Sequence, residues 1–205
     1  DGRALCAVAL EKRVEAVQKA WEKHRAVGAI MIFLQGHGVS PGLAARMAAA
    51  KLLAAVVDAH TPLDGLTDNE HGHPNFRALE SRDRSLVRAI LVTALRYRGT
   101  ISRLIAGRLD RPLPANAHAL SHVLHVAAAQ VLFLDVPDSA AVDLAVSHAN
   151  AGPRTRRFAG LVNAVLRGLS REKAERLPAE LARGDDAPEW FRDRLVAAYG
   201  EARAA

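Results

Sequence analysis

The sequence predicts an all-α protein, a bundle of about six or seven helices with an extra helix at the N-terminus. Three observations lead there. Hydrophobic residues make up 50% and are mostly Ala, Leu and Val, whereas aromatics make up only 4%, which favours closely packed helices over strands. Apolar residues recur at helical spacing in segment after segment, while no segment alternates and none repeats at a fixed period. The breaks between segments are clusters of Pro, Gly, Asp and Asn. At 205 residues the chain is long enough for one well-buried core, or one domain with appendages.

Residues 1–40 read as a helical extension. Leu10, Val14, Val17 and Trp21 form a heptad-like stripe that stops at QGHG, and roughly two heptads are too few to specify a coiled coil. Ser40-Pro41 supplies an N-cap and a first-turn proline for a helix running to about Asp58. HTPLDGLTDNEHGHPNF, residues 60–76, reads as a long connection with a short helix at its start. Ser81 then caps a segment that is apolar almost all round, the expected central helix, and Gly99 is the expected break after it.

Beyond that break, Ile101, Leu104, Ile105 and Leu109 share one face. After Pro112 and Pro114, the residues Leu120, Val123, Leu124, Ala127, Ala128, Val131 and Leu132 give the cleanest apolar stripe in the chain. DVPDS, residues 135–139, turns into a helix reaching about Asn150, and Ala151-Gly152-Pro153 closes it and opens the next. The domain is expected to span 41–170, with 171–205 as a linker.

The formal charge is +6, and its distribution matters more than its total. Residues 41–170 hold 15 Arg and Lys against 10 Asp and Glu, whereas residues 171–205 hold 7 against 8. The excess is nearly all arginine, with Lys51 the one lysine of the middle section. Arginine's planar fork suits phosphate, which points to a nucleic-acid partner; codon usage in a GC-rich genome produces the same bias. Cys6 is the single cysteine, so a disulfide framework and a thiolate zinc site are excluded and a reducing, cytoplasmic setting is expected. The longest apolar run, AVGAIMIFL, is too short to span a bilayer, so no membrane partner is expected. A start at Asp1 rather than Met is expected of a fragment or a processed product.

Catalytic constellations are missing. There is no G-x-S-x-G elbow, no Cys-His pairing, no Walker-type loop and no strand leading into a glycine-rich turn, so no catalytic residue is assigned. His118, His122 and His125 fall on one side of a helix, but no second element offers further ligands; they are predicted to form a solvated polar face, and no metal is expected. His71 and His73 sit in a loop without fixed geometry.

The segment RFAGLVNAVLRGL carries the functional expectation. Phe158, Leu161, Val162, Val165, Leu166 and Leu169 make its packing stripe, while Arg156, Gly160, Asn163 and Arg167 fall on the opposite side. Arg154, Arg156 and Arg157 are placed in the first helical turn, where free N–H groups attract phosphate. Cations at that end are unfavourable for the helix dipole, which argues for an anionic partner.

These residues resemble a known family. Gln130, Leu132, Leu134, Pro137, Phe158, Val162, Asn163, Val165, Leu166 and Arg167 stand where the NusB-like helical domain has its characteristic residues, and SRDRSLVRAILVTALRYR resembles the segment ahead of them. The likeness covers about residues 42–170. Its wording is closest to the RsmB/Sun branch, in which this domain precedes a methyltransferase that makes 5-methylcytosine in small-subunit ribosomal RNA. DDAPEWFRDRLVAAYGEA resembles the segment leading into that domain, with Phe191 in place of the usual Leu.

The shared polar face and helix-start position of Arg154, Arg156, Arg157 and Arg167 predict contacts to RNA phosphates, with Asn163 either capping neighbouring backbone groups or touching the nucleic acid. The resemblance adds Arg46 of the family's first helix. It also implies ribosomal RNA and the chain's own methyltransferase domain as partners, and S-adenosylmethionine (SAM) bound beyond residue 205 with none in this chain. Of the family's arginine-rich first helix only Arg46 and Lys51 remain, and Cys6 lies outside the matched region. The alternative is a free-standing NusB-type antitermination factor, which binds RNA together with a ribosomal protein.

Overall fold

The computed structural model describes residues 42–183, 186–187 and 189–200. The N-terminal stripe, Cys6 and the Ser40-Pro41 cap lie outside the described residues. Among the described residues the secondary structure is entirely helical: α1 (Leu43–Val57), α2 (Leu63–Leu66), α3 (Pro74–Arg77), α4 (Ser81–Arg96), α5 (Arg98–Ala106), α6 (His118–Phe133), α7 (Asp138–Ala151), a 3-10 turn (Arg156–Phe158), α8 (Ala159–Leu181) and α9 (Glu189–Tyr199).

The central helix is α6, not α4 as the sequence implied. It packs against α1, α4, α5, α7 and α8, and every residue of its predicted stripe is buried. His122, His125 and Gln130 are buried with that stripe, so α6 is enclosed on nearly all sides. In α4, by contrast, Val87, Ile90, Leu91 and Ala94 face inward while Val92 is 53% exposed. Small side chains let the helices approach closely: Ala45, Ala48 and Ala49 of α1 and Ala127, Ala128 and Ala129 of α6 are all buried.

Local starts and breaks differ by small amounts from the sequence reading. The N-cap of α1 is Gly42, whose φ of 84° suits glycine, and that of α4 is Glu80, one residue before Ser81. The break between α4 and α5 falls at Tyr97, whose ring stacks on Phe133 with centroids 4.2 Å apart, and Gly99 continues inside α5. Residues 60–76 carry the expected short helix at their start, α2, and are shorter of loop than expected because α3 adds a second turn at their end.

Two ion pairs bind α5 and its following turn to α8: Arg103 to Glu180 at 2.8 Å and Arg108 to Glu172 at 2.7 Å. Arg108 crosses α8 over Gly168, where any Cβ would collide with its guanidinium. Lys173 meets Asp138 at 2.8 Å and ties α8 to the start of α7. The boundary drawn at 170 falls inside α8, which continues as one helix to Leu181. Beyond it, Asp186 accepts from the Thr100 backbone N–H at 2.6 Å and from its hydroxyl at 2.7 Å, capping α5.

Candidate nucleic-acid interface

The turn between α7 and α8 presents the arginines that the sequence singled out. α7 ends at Ala151, and Thr155 then folds inward: it is 5% exposed, and its hydroxyl donates to the Ala149 carbonyl at 2.8 Å. That bond turns the flanking residues outward. Arg154, Arg156 and Arg157 are all exposed. They stand before α8 rather than in its first turn, because the 3-10 turn intervenes and α8 begins at Ala159. Arg156 Nε donates to the Asn150 carbonyl at 3.0 Å, and the Arg157 guanidinium lies 4.7 Å above the Phe158 ring.

The polar face of α8 continues from this turn. Gly160 is exposed with open space around it, and Arg167 Nε donates to Asn163 Oδ1 at 2.9 Å. Asn163 thus supports Arg167 one helical turn away. The inner stripe holds Val162, Val165, Leu166 and Leu169 in the core, with Phe158 and Leu161 half-buried at its edge.

Ion pairing engages only some cations of the bundle, and Arg82, Arg84, Arg96 and Arg111 elsewhere on it also make none of the ion pairs among the described residues. Arg103, Arg108, Lys173 and Arg176 pair with carboxylates. Among the described residues, Arg154, Arg156, Arg157 and Arg167 have no carboxylate partner. Their field is therefore available to an external anion.

Arg46 does not join them. It is 8% exposed, its Nε donates to Gln130 Oε1 at 2.8 Å and its Nη1 to the Gly42 carbonyl at 3.2 Å. Its charge is turned inward to α6, away from the surface that the sequence assigned to it. The expected solvated histidine face is also overturned. His122 is 4% and His125 5% exposed, and only His118 reaches solvent.

The three rings do not converge. His122 Nε2 meets Asp58 Oδ2 at 2.8 Å, while His125 Nε2 meets Ser102 Oγ at 3.0 Å. The His122 hydrogen bond, with help from the nearby His118 and Arg98 charges, holds the Asp58 carboxyl below its usual range. Burial pushes His125 down to about 4, so its ring is neutral at pH 7. Among the described residues no group of three or more His, Cys, Asp or Glu is placed to hold a metal ion. Also among them, no helix is long and apolar enough to cross a membrane.

A cleft of about 510 Å³ opens between this turn and the start of α6, lined by Arg154, Arg157, Phe158, Asn116 and His118. The first turn of α6 carries no acidic residue and no side-chain cap, so its free N–H groups add to the positive field there.

The sequence is similar to those of known proteins. Ribosomal RNA small subunit methyltransferase B of Xanthomonas campestris is 39% identical over 163 residues, covering 78% of this chain and 35% of that protein. The protein of the same name from Xylella fastidiosa is 36% identical over 163 residues, covering 80% of this chain and 36% of its own length. In Vibrio vulnificus it is 33% identical over 130 residues, covering 62% and 29%. The chain thus spans about a third of the length of these curated relatives. Residues 43–171, which hold α1 through the first half of α8, match the NusB family, and the chain belongs to that family.

Proposed function

We propose that this chain is the RNA-recognition domain of a SAM-dependent small-subunit ribosomal RNA cytosine-C5 methyltransferase. The carrying observation is the turn of residues 153–158, where Arg154, Arg156 and Arg157 stand exposed and without carboxylate partners beside the uncapped start of α6. Relatives named as small-subunit rRNA methyltransferases supply the substrate class. In this reading the bundle holds RNA phosphates, and Arg167, braced by Asn163, extends the contact along α8.

In this reading the methyl-donor chemistry belongs to the part of the methyltransferase relatives that this chain does not cover. The domain's part is to bind and orient RNA.

The test is a salt titration of binding to a labelled small-subunit rRNA fragment. Replacing one arginine that neutralises a phosphate lowers the slope of log K against log salt by about 0.7–0.9. Unchanged slopes for Arg154→Gln, Arg156→Gln, Arg157→Gln and Arg167→Gln overturn the reading.

A further inference from the structure

The polar face of α8 runs further than the sequence reading took it. Residues 144–171 contain Arg154, Arg156, Arg157, Arg167 and Arg171 and no Asp or Glu. Arg171 is exposed and makes none of the ion pairs among the described residues. The next residue, Glu172, is engaged by Arg108 at 2.7 Å and Arg176 at 3.5 Å. In α4, by contrast, Asp83 stands in the first turn, and Arg84 and Arg88 both donate to Asn69.

The small residues of this face lie between the arginines. Gly160, Ala164, Arg167 and Arg171 are all exposed, and at 3.6 residues per turn they fall within about 60° of arc over about 16 Å. Gly168, on the inner side, has a reason within the fold, because the Arg108 guanidinium occupies the place of its side chain. Gly160 has no atom within 4 Å of where a Cβ would stand, so the fold does not require a glycine there. Glycine is also a poorer helix former than alanine. With Ala164 one turn on, it leaves a low saddle, headed by the turn that carries Arg156 and Arg157 and followed by Arg167 and Arg171. Such a saddle lets a phosphate backbone come close to the helix.

The face lacks a platform for bases. Single strands are held by bases stacking on aromatic rings. Phe158, at the head of the row, is half-buried with the Arg157 guanidinium 4.7 Å above it. The exposed rings of Trp190, Phe191 and Tyr199 belong to α9. What α8 offers is charge and shape, the terms in which an A-form duplex is read.

We propose that α8 seats the sugar-phosphate ridge of a double-stranded RNA stem, with the backbone crossing Gly160 and Ala164 and phosphates held by Arg157 on one side and by Arg167 and Arg171 on the other. The inference rests on the RNA-binding reading above; it names the form of RNA taken and adds Arg171 to the contact.

The test measures fluorescence anisotropy with a labelled RNA duplex of about 16 base pairs, a length that shape-reading modules span, and with one of its strands alone. Gly160→Leu and Ala164→Leu each raise the saddle without changing charge, Ala164→Ser keeps it low, and circular dichroism confirms that all are folded. The expected result is tighter binding of duplex than of strand, about a tenfold loss of duplex affinity in both leucine variants and wild-type affinity in Ala164→Ser. Arg171→Gln lowers the duplex salt slope by about 0.7–0.9. Wild-type duplex affinity in both folded leucine variants overturns the seat on α8, while slopes still altered by Arg154→Gln and Arg156→Gln leave the functional reading standing. Tighter binding of the single strand overturns the duplex, and an unchanged slope in Arg171→Gln overturns its place in the row. Absence of all RNA binding by the unaltered chain overturns the seat and the functional reading together.

Discussion

Arg46 of α1 and Gln130 of α6 form a buried hydrogen bond of 2.8 Å between residues 84 positions apart. Gln130 completes the arrangement by donating its amide to the Val126 carbonyl at 2.9 Å. A guanidinium this deep relies on that partner, so Gln130→Ala lowers the unfolding free energy by about 2–4 kcal/mol. The double replacement Arg46→Met, Gln130→Leu removes both polar groups and recovers most of the loss. Urea titrations of the three proteins check this.

Paired and unpaired arginines separate in RNA binding. Arg156→Gln weakens binding and flattens the salt dependence, because its guanidinium has no carboxylate to release. Arg108→Gln leaves the salt slope unchanged and instead destabilises the fold by about 1 kcal/mol, since it removes the pair with Glu172 Oε1 and leaves Glu172 only Arg176. Measuring both variants by anisotropy and by thermal unfolding distinguishes the two roles.

Thr155 acts on the same surface from inside. Thr155→Val keeps the shape but loses the hydrogen bond to Ala149, at about 1–2 kcal/mol. Because Thr155 sets the turn that carries Arg154, Arg156 and Arg157, RNA affinity falls although no charge has changed. The wild-type affinity in folded Thr155→Val would separate the turn from the binding surface.

Stability falls as the solution is acidified from about pH 6.5 toward 4. His125 and His148 are held near 4 in the fold, below the ordinary histidine value of 6.5, chiefly by burial. Between those values the unfolded chain takes up protons that the folded chain refuses. The stabilisation is therefore complete above pH 6.5 and is lost as pH drops through 4. Each histidine contributes a slope of up to about 1.4 kcal/mol per pH unit in that window. Urea midpoints at pH 7 and pH 5 measure the effect, and His125→Asn reduces it.

Helix faces were legible where a single segment decides its own periodicity. The stripe from Leu120 to Leu132 is buried throughout, and the inner and outer sides of α8 are those read from RFAGLVNAVLRGL. What the sequence hid is the burial of polar residues whose partners come from other helices. His122 looks solvated until Asp58, 64 positions away, is brought against it, and His125 until Ser102 arrives from α5. Arg46 looks like a surface cation for the same reason. The centrality of α6 was obscured by its three histidines, which read as a polar face and made the helix look one-sided. The outward setting of Arg154, Arg156 and Arg157 could be read locally, whereas the 3-10 turn beneath them depends on Thr155 reaching back to α7.

The clasp between Asp186 and Thr100 makes one amide proton a reporter. The Thr100 N–H lies at the start of α5, where an intrahelical acceptor is lacking, and its shelter comes from a carboxylate 86 positions downstream. Its exchange with deuterated solvent therefore follows the peeling away of the segment after α8, while amides deeper in α5 wait for wider unfolding. One backbone signal thus registers whether the chain's exit is latched or loose.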